Sequence, residues 1–460
     1  MSKFLSASVT LALAAPLLAA ADTPPAAPAE IKALKQDIEA LRSAYEARLQ
    51  ALEQRLLAAE TNSTARSQTS TASSSALPPS ASSAGGANAF NPEISLILSG
   101  GYTRTLRDPA NYRVTGFQAP ANGEAGPGTR GFSLAESELR LAANIDPYLR
   151  GAATLSLGSD NTVSVEEAFV QTTSLGNGLS VKAGRFLSSI GYLNRQHAHT
   201  WDFVDNPLAY QTLLGTQYRD DGLQVSWLAP TDRYLELGAE VGRGRSFPGS
   251  DTSRNGAGMV ALTAHTGGDV GVSHSWRAGL SRLSTRASEQ NLTAQDSSGS
   301  LVNNVFSGKT NIWIVDGVWK WAPNGNATQT SFKLQGEYLR SKRSGTLTYD
   351  TENANIGDAY TAVQSGWYVQ GVYQFMPRWR LGLRTERLNA GSPDFGINTA
   401  ALASNPYRPS KNTLMIDYNP SEFSRLRLQL AQDRSRQGMV DNQIFLQYQM
   451  SLGAHGGHNY

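Results

Sequence analysis

From about residue 91 onward, apolar and polar side chains alternate with a period of two in one segment after another. In the clearest case Trp367, Val369, Gly371, Tyr373 and Phe375 alternate with Tyr368, Gln370, Val372 and Gln374. After Met376-Pro377-Arg378 the pattern resumes, with Trp379, Leu381 and Leu383 against Arg380, Gly382, Arg384 and Glu386. Successive side chains of a strand point to opposite faces, so the two strands share an apolar face and a polar one. Phe375 and Trp379 set large aromatics on the apolar face beside the turn, as a lipid–water boundary favours. The same sorting separates Leu139, Leu141, Ala143 and Ile145 from Glu136, Glu138 and Arg140, and Leu426, Leu428 and Leu430 from Arg425, Arg427 and Gln429.

About sixteen such segments are predicted, and their connections alternate short and long. Turn chemistry marks the short set: Asp146-Pro147, Leu175-Gly176-Asn177, Pro230-Thr231-Asp232, Gly267-Gly268-Asp269, Pro323-Asn324-Gly325, Met376-Pro377-Arg378 and Asn419-Pro420-Ser421. The long set comprises 107–130, 188–221, 288–308, 342–360 and 389–410, while outer connections near 159–161 and 435–439 are short. The fold class is therefore all-β, a transmembrane antiparallel barrel of about sixteen strands with short periplasmic turns and long outer loops. Charges on the inner face imply a wet lumen. One strand departs from the rule: in 312–321, Ile312, Ile314 and Val318 oppose Trp313, Val315, Trp319 and Trp321. Apolar on both faces, it is expected to lie against another subunit or a folded-in loop.

The N-terminal residues differ in kind. Residues 1–21 combine Lys3, an apolar stretch and Ala19-Ala20-Ala21, an export signal with its cleavage site. Residues 22–29 form a short segment before 30–60, where Ile31, Leu34, Ile38, Leu41, Tyr45, Leu49, Leu52, Leu56 and Ala59 keep coiled-coil spacing across one stutter. An α-helical coiled coil in the periplasm is expected there, followed by a flexible Ser/Thr/Ala-rich linker over 61–90 and the barrel over 91–460. The sequence has no Cys, which excludes disulfides, thiolate metal sites and a lipid-bearing Cys. A net charge of +2 argues against nucleic acid as a partner.

Val165-Glu166-Glu167-Ala168-Phe169-Val170-Gln171, followed by Val181-Lys182-Ala183-Gly184-Arg185-Phe186 and Gly191, resembles a strand pair of the phosphate-selective porin O/P-like family. Gly366-Trp367-Tyr368-Val369-Gln370-Gly371 and the closing Phe445-Leu446-Gln447-Tyr448 through His455 are similar to outer-membrane proteins of that group. The resemblance spans most of 91–460 and implies a sixteen-stranded, usually trimeric barrel in the outer membrane that admits small solutes. Phosphate selectivity does not carry over, since no position here is matched to the family's phosphate-binding arginines.

A barrel of this size encloses an aqueous channel, so selectivity belongs to its constriction. The third outer connection, 188–221, is the candidate to fold inward, bringing Arg195, His197, His199, Trp201, Asp202, Phe203 and Asp205; otherwise it covers the mouth or meets a neighbour. On the wall, Arg150, Lys182, Arg380, Arg384, Arg425 and Arg427 form a basic track able to concentrate anions, or else pair across strands with Glu136, Glu138, Glu236, Glu240 and Glu337. The expected function is passive diffusion of small hydrophilic solutes with weak anion preference. The alternatives are an anchor whose coil tethers membrane to cell wall, and a barrel with specific ligand or metal binding. No cofactor is expected, and no catalytic residues, because none of the six His sits with a Ser in a motif with an orienting third group. His455 and His458 are the weak candidates for metal.

Overall fold

The computed structural model describes residues 92–453, apart from 122–124, 252 and 254. The export signal, the coiled coil, the linker, and His455 and His458 lie outside the described residues.

Among these residues the chain forms one continuous sheet. Its segments are β1 (Glu93–Thr105), β2 (Ala119–Pro120), β3 (Gly131–Leu134), β4 (Ser137–Asn144), β5 (Leu149–Leu157), β6 (Val163–Thr172), β7 (Leu179–Leu187), β8 (Arg219–Leu228) and β9 (Tyr234–Gly242). They continue as β10 (Met259–Val270), β11 (His274–Gln295), β12 (Leu301–Trp321), β13 (Ser331–Tyr349), β14 (Ile356–Met376), β15 (Trp379–Asn389), β16 (Ser410–Ser421), β17 (Ser424–Arg434) and β18 (Asp441–Gly453). From β4 onward each strand pairs antiparallel with the next, and β1 closes the ring on β18 from Ser95↔Gly453 to Thr105↔Gln443. β3 and β4 lie along the same edge of β1, with Gly100 opposite Leu134 and Ile97 opposite Glu138, so they are one strand broken at Ala135 and Glu136. β2 only bridges an outer loop to β11. The wall is thus a closed barrel of sixteen antiparallel strands.

The two-residue period orients this wall as expected. Trp367, Val369, Tyr373, Phe375, Leu381 and Leu383 are exposed on the outside, while Tyr368, Gln370, Val372, Arg384 and Glu386 are buried within. Near the short-turn end, outward aromatics gather into pairs, Trp379 with Tyr418 at 4.7 Å and Trp319 with Phe332 at 5.9 Å between ring centroids. Rings at this level suit the boundary between hydrocarbon and headgroups.

Four expected connections shift. Gly267, Gly268 and Asp269 are still paired within β10, whose turn lies at 271–273, and Asn419 to Ser421 end β16. Glycine chemistry attracts a turn assignment, but ladder partners in the neighbouring strands are available and hold the backbone extended. Of the long outer excursions, 288–308 and 342–360 are mostly strand, β11 with β12 and β13 with β14 projecting as hairpins. Their polar residues satisfy each other's backbone groups beyond the apolar band, where a polar strand has no lipid to avoid.

Candidate functional site

Residues 188–218, between β7 and β8, fold into the barrel rather than over it. Gly191 makes the inward turn possible: its φ is +63°, and a Cβ there would lie 2.4 Å from Glu337 Oε2. Beyond it, Ile190, Leu193, Leu208, Tyr210 and Leu213 pack on Ile312, Ile314, Leu339 and Tyr368 of the wall. The two apolar faces of 312–321 are thereby accounted for: the inner one receives this loop, while Trp313, Val315 and Trp319 are exposed outside.

Polar contacts pin the loop around the inner circumference. On one side the wall is acidic and the loop offers donors. Glu240 accepts from Ser188 Oγ at 2.5 Å and from the Ser189 amide at 2.8 Å. Glu337 accepts from the Tyr192 and Leu193 amides at 3.2 and 2.9 Å, from Tyr210 Oη at 2.8 Å and from Tyr368 Oη at 2.7 Å. His199 Nδ1 lies 2.8 Å from Glu138, and the two ring nitrogens of His197 lie 3.0 Å from Glu166 and Glu167 respectively. Consecutive residues of a strand ordinarily face opposite ways. Here the ladder slips, pairing Thr154 with Glu167 and Leu155 with Val165, and the bulged Glu166 turns inward beside its neighbour.

On the other side the wall is basic and the loop supplies acceptors. Asp202 is paired with Lys333 and, at 3.2 Å, with Arg380. Asp205 is held by Arg384 at 2.7 Å, Lys411 at 2.5 Å and the Gln429 amide at 2.9 Å. Arg427 donates to the Trp201 carbonyl at 2.8 Å, and Arg425 reaches the same oxygen at 3.2 Å. Phe203 is buried against Val372 and Met415 with the Arg384 guanidinium 4.7 Å from its ring. Burial opposes ionisation of Asp202 and Asp205, but the Lys333 and Arg380 charges at one, and Lys411 and Arg384 at the other, outweigh it and hold both carboxyls well below the usual carboxylate range.

The wall's basic residues therefore do not run as one open row. Arg384 and Arg427 are buried beneath the loop, and Arg380 pairs with Asp202 and Asp417. Arg150 sits apart at the short-turn end, bonded to Glu93 at 2.7 Å, and Lys182 lies 4.5 Å from the Phe169 ring. Pairing across strands is limited as well, because Glu138, Glu240 and Glu337 chiefly hold the loop. Arg195 reaches Glu236 at 4.0 Å. Lys333, Lys411 and Asp417 join the site without having been singled out in the sequence, and Glu166, Glu167 and Gln429 join it having stood out there only as strand residues. The adjacent carboxylates Glu166-Glu167 carried the one available signal, a break in strict alternation.

Residues 138–388 match the family of phosphate-selective porin O and P. A protein of Aquifex aeolicus (strain VF5), described as uncharacterized, is 34% identical over 397 residues, 81% of this chain and 80% of its own. Among solved structures, the outer membrane channel DcaP of Acinetobacter baumannii is similar at a TM-score of 0.47 and 13% identity, over 79% of this chain and 97% of that one. The anion-selective porin from Comamonas acidovorans is similar at 0.48 and 12%, over 79% and 99%. OmpT of Vibrio cholerae, folded in vitro, follows at 0.47 and 9%, over 80% and 99%.

Proposed function

Because this chain belongs to the family of phosphate-selective porin O and P, and so is an outer-membrane porin, we propose that it passes small hydrophilic solutes by passive diffusion and prefers anions. The constriction in this reading is the 188–218 loop, with the solute path through the part of the lumen it does not fill.

One observation carries the sign of selectivity: in three lumenal ion pairs the cation is clearly the wetter partner, while Arg195 and Glu236 are about equally exposed and Arg150 with Glu93, at the short-turn end, has the wetter acid. Arg140 is 37% exposed against 7% for Glu167, Lys333 22% against 5% for Asp202, and Arg380 21% against 0% for Asp417. A passing ion therefore meets guanidinium and ammonium groups whose counter-charges are set back in the protein. In a narrow, low-dielectric passage such an offset favours anions. The deeper pairs of Asp205 with Arg384 and Lys411 have the opposite order, and they serve to seat the loop.

Planar bilayers with a KCl gradient test this reading. The reversal potential is expected on the chloride side, moving toward potassium in Arg380→Glu; cation preference in the parent channel, unaltered by that change, would sink it. In the same reading the heptad-spaced run over 30–60 lies in the periplasm and helps assemble a homotrimer in the lipid bilayer. Deleting those residues is expected to lower the oligomeric mass in detergent, whereas an intact conducting trimer assigns the coil to cell-wall contact instead.

A further inference from the structure

Among the described residues, Glu138, Glu166 and His197 form a set of side chains spaced to hold a metal ion, with Glu167 beside them. His197 Nδ1 lies 3.0 Å from Glu166 Oε2 and 3.3 Å from Glu138 Oε2, and its Nε2 lies 3.0 Å from Glu167 Oε2. Glu138 and Glu166 are 2% and 1% exposed, while the imidazole keeps 16% of its surface open.

A hydrogen bond explains only part of this arrangement. An Nδ1–H points in one direction, yet two buried carboxylates converge on that nitrogen from nearly equal distances. Like charges drawn together in a poorly hydrated place are stabilised by a cation; an imidazolium donates from Nδ1 to one of these carboxylates, whereas a metal ion bonds both at once. We propose that Glu138, Glu166 and His197 Nδ1 form a zinc site. Zinc takes His nitrogen and carboxylate oxygen at about 2.0–2.2 Å, so its tetrahedral ligand atoms stand roughly 3.3 Å apart, close to the spacings found.

The surroundings fit the same chemistry. Glu167 on Nε2 supplies the carboxylate partner that orients a metal-binding imidazole and makes it more basic. Glu167 is itself fixed by the Leu187 amide at 3.0 Å. His199 stacks on His197 at 5.7 Å and lies 2.8 Å from the second oxygen of Glu138, so its ring steadies that carboxylate. The donor set of one nitrogen and two oxygens favours zinc over magnesium, which prefers oxygen and octahedral geometry. Bound there, the ion ties the descending limb of the loop to β4 and β6.

The test uses the full chain in detergent, stripped with EDTA and dialysed against low-micromolar zinc, with bound metal measured by mass spectrometry. One zinc per chain is expected, unaffected by excess magnesium, with a zinc-edge absorption spectrum of light-atom N/O ligands. Glu166→Gln preserves size and hydrogen bonding and is expected to weaken binding at least about tenfold, its fold verified by heat-modifiable gel mobility. The double variant Glu138→Gln/Glu166→Gln is expected to abolish binding. Replacing His455 and His458 together by Ala separates this site from terminal histidines and is expected to leave the zinc in place. Absence of stoichiometric zinc, retention of parental affinity in Glu166→Gln, or loss of zinc on removing His455 and His458 would overturn the assignment.

Discussion

Asp202 in the lumenal loop and Arg380 in the wall form an ion pair at 3.2 Å in which only the arginine faces water appreciably. The pair sits near the short-turn end, since Arg380 is the second residue of β15. Replacing either partner by its neutral amide-bearing analogue therefore acts in opposite senses. Asp202→Asn is expected to strengthen anion preference and Arg380→Gln to weaken it, read as reversal potentials of opposite displacement under one salt gradient. Displacements of the same sign would count against the offset of charges as the source of selectivity.

Asp205 holds Arg384 and Lys411, both nearly sealed from solvent. Asp205→Ala leaves two buried cations without it, with Glu386 still on Arg384 at 2.8 Å. Removing one partner of a buried pair costs about 3–5 kcal/mol. The loss is expected to fall on the loop rather than on the wall ladders, giving larger and noisier single-channel conductance with little change in the strand signal by circular dichroism. A quiet channel of parental conductance would contradict the seating role.

Gly191 is the point where the chain turns inward, with a positive φ and Glu337 directly over the place a side chain would occupy. Gly191→Val is expected to displace the Glu337 carboxylate from the Tyr192 and Leu193 amides and detach the start of the loop. Protease cleavage within 188–218 in the folded, detergent-extracted protein measures this directly: the variant is cut, the parent resists.

The carboxyls of Asp202 and Asp205 lie below their ordinary value, because the surrounding cations outweigh burial. A depressed acid contributes stability above its unfolded pKa, about 3.9, and loses it as pH falls toward the folded value. Loop seating is thus expected to be independent of pH near neutrality and to weaken progressively below roughly pH 4, without being lost at that pH. Conductance recorded at decreasing pH is expected to change there in Asp-dependent fashion, with Asp205→Asn removing part of the transition.

Most of the wall was legible in the sequence because a lipid-facing strand pays heavily for any polar residue on its outer side, and the alternation from Trp367 to Glu386 records that constraint without ambiguity. The inward loop was legible in part: 188–221 is long enough to fold in, while the two apolar faces of 312–321 left either another subunit or a folded-in loop as the cover. What the sequence concealed was which charges meet. Arg384 and Asp205 are 179 positions apart, and Lys411 and Asp205 206. No local period encodes such pairing. The polar hairpins of β11 with β12 and β13 with β14 were concealed too, since beyond the membrane a strand needs only a partner's backbone, not an apolar face.

The loop's hydrogen bonds reach far down the chain. Its Val204 amide donates to Gln429, 225 residues later, and Arg427 binds the Trp201 carbonyl across a similar interval. The acidic half of the loop is held by β15 to β17, strands remote from it in sequence. The passage is consequently narrow only where those strands stand in the wall beside the loop: constriction is a property of the closed barrel and not of the loop alone.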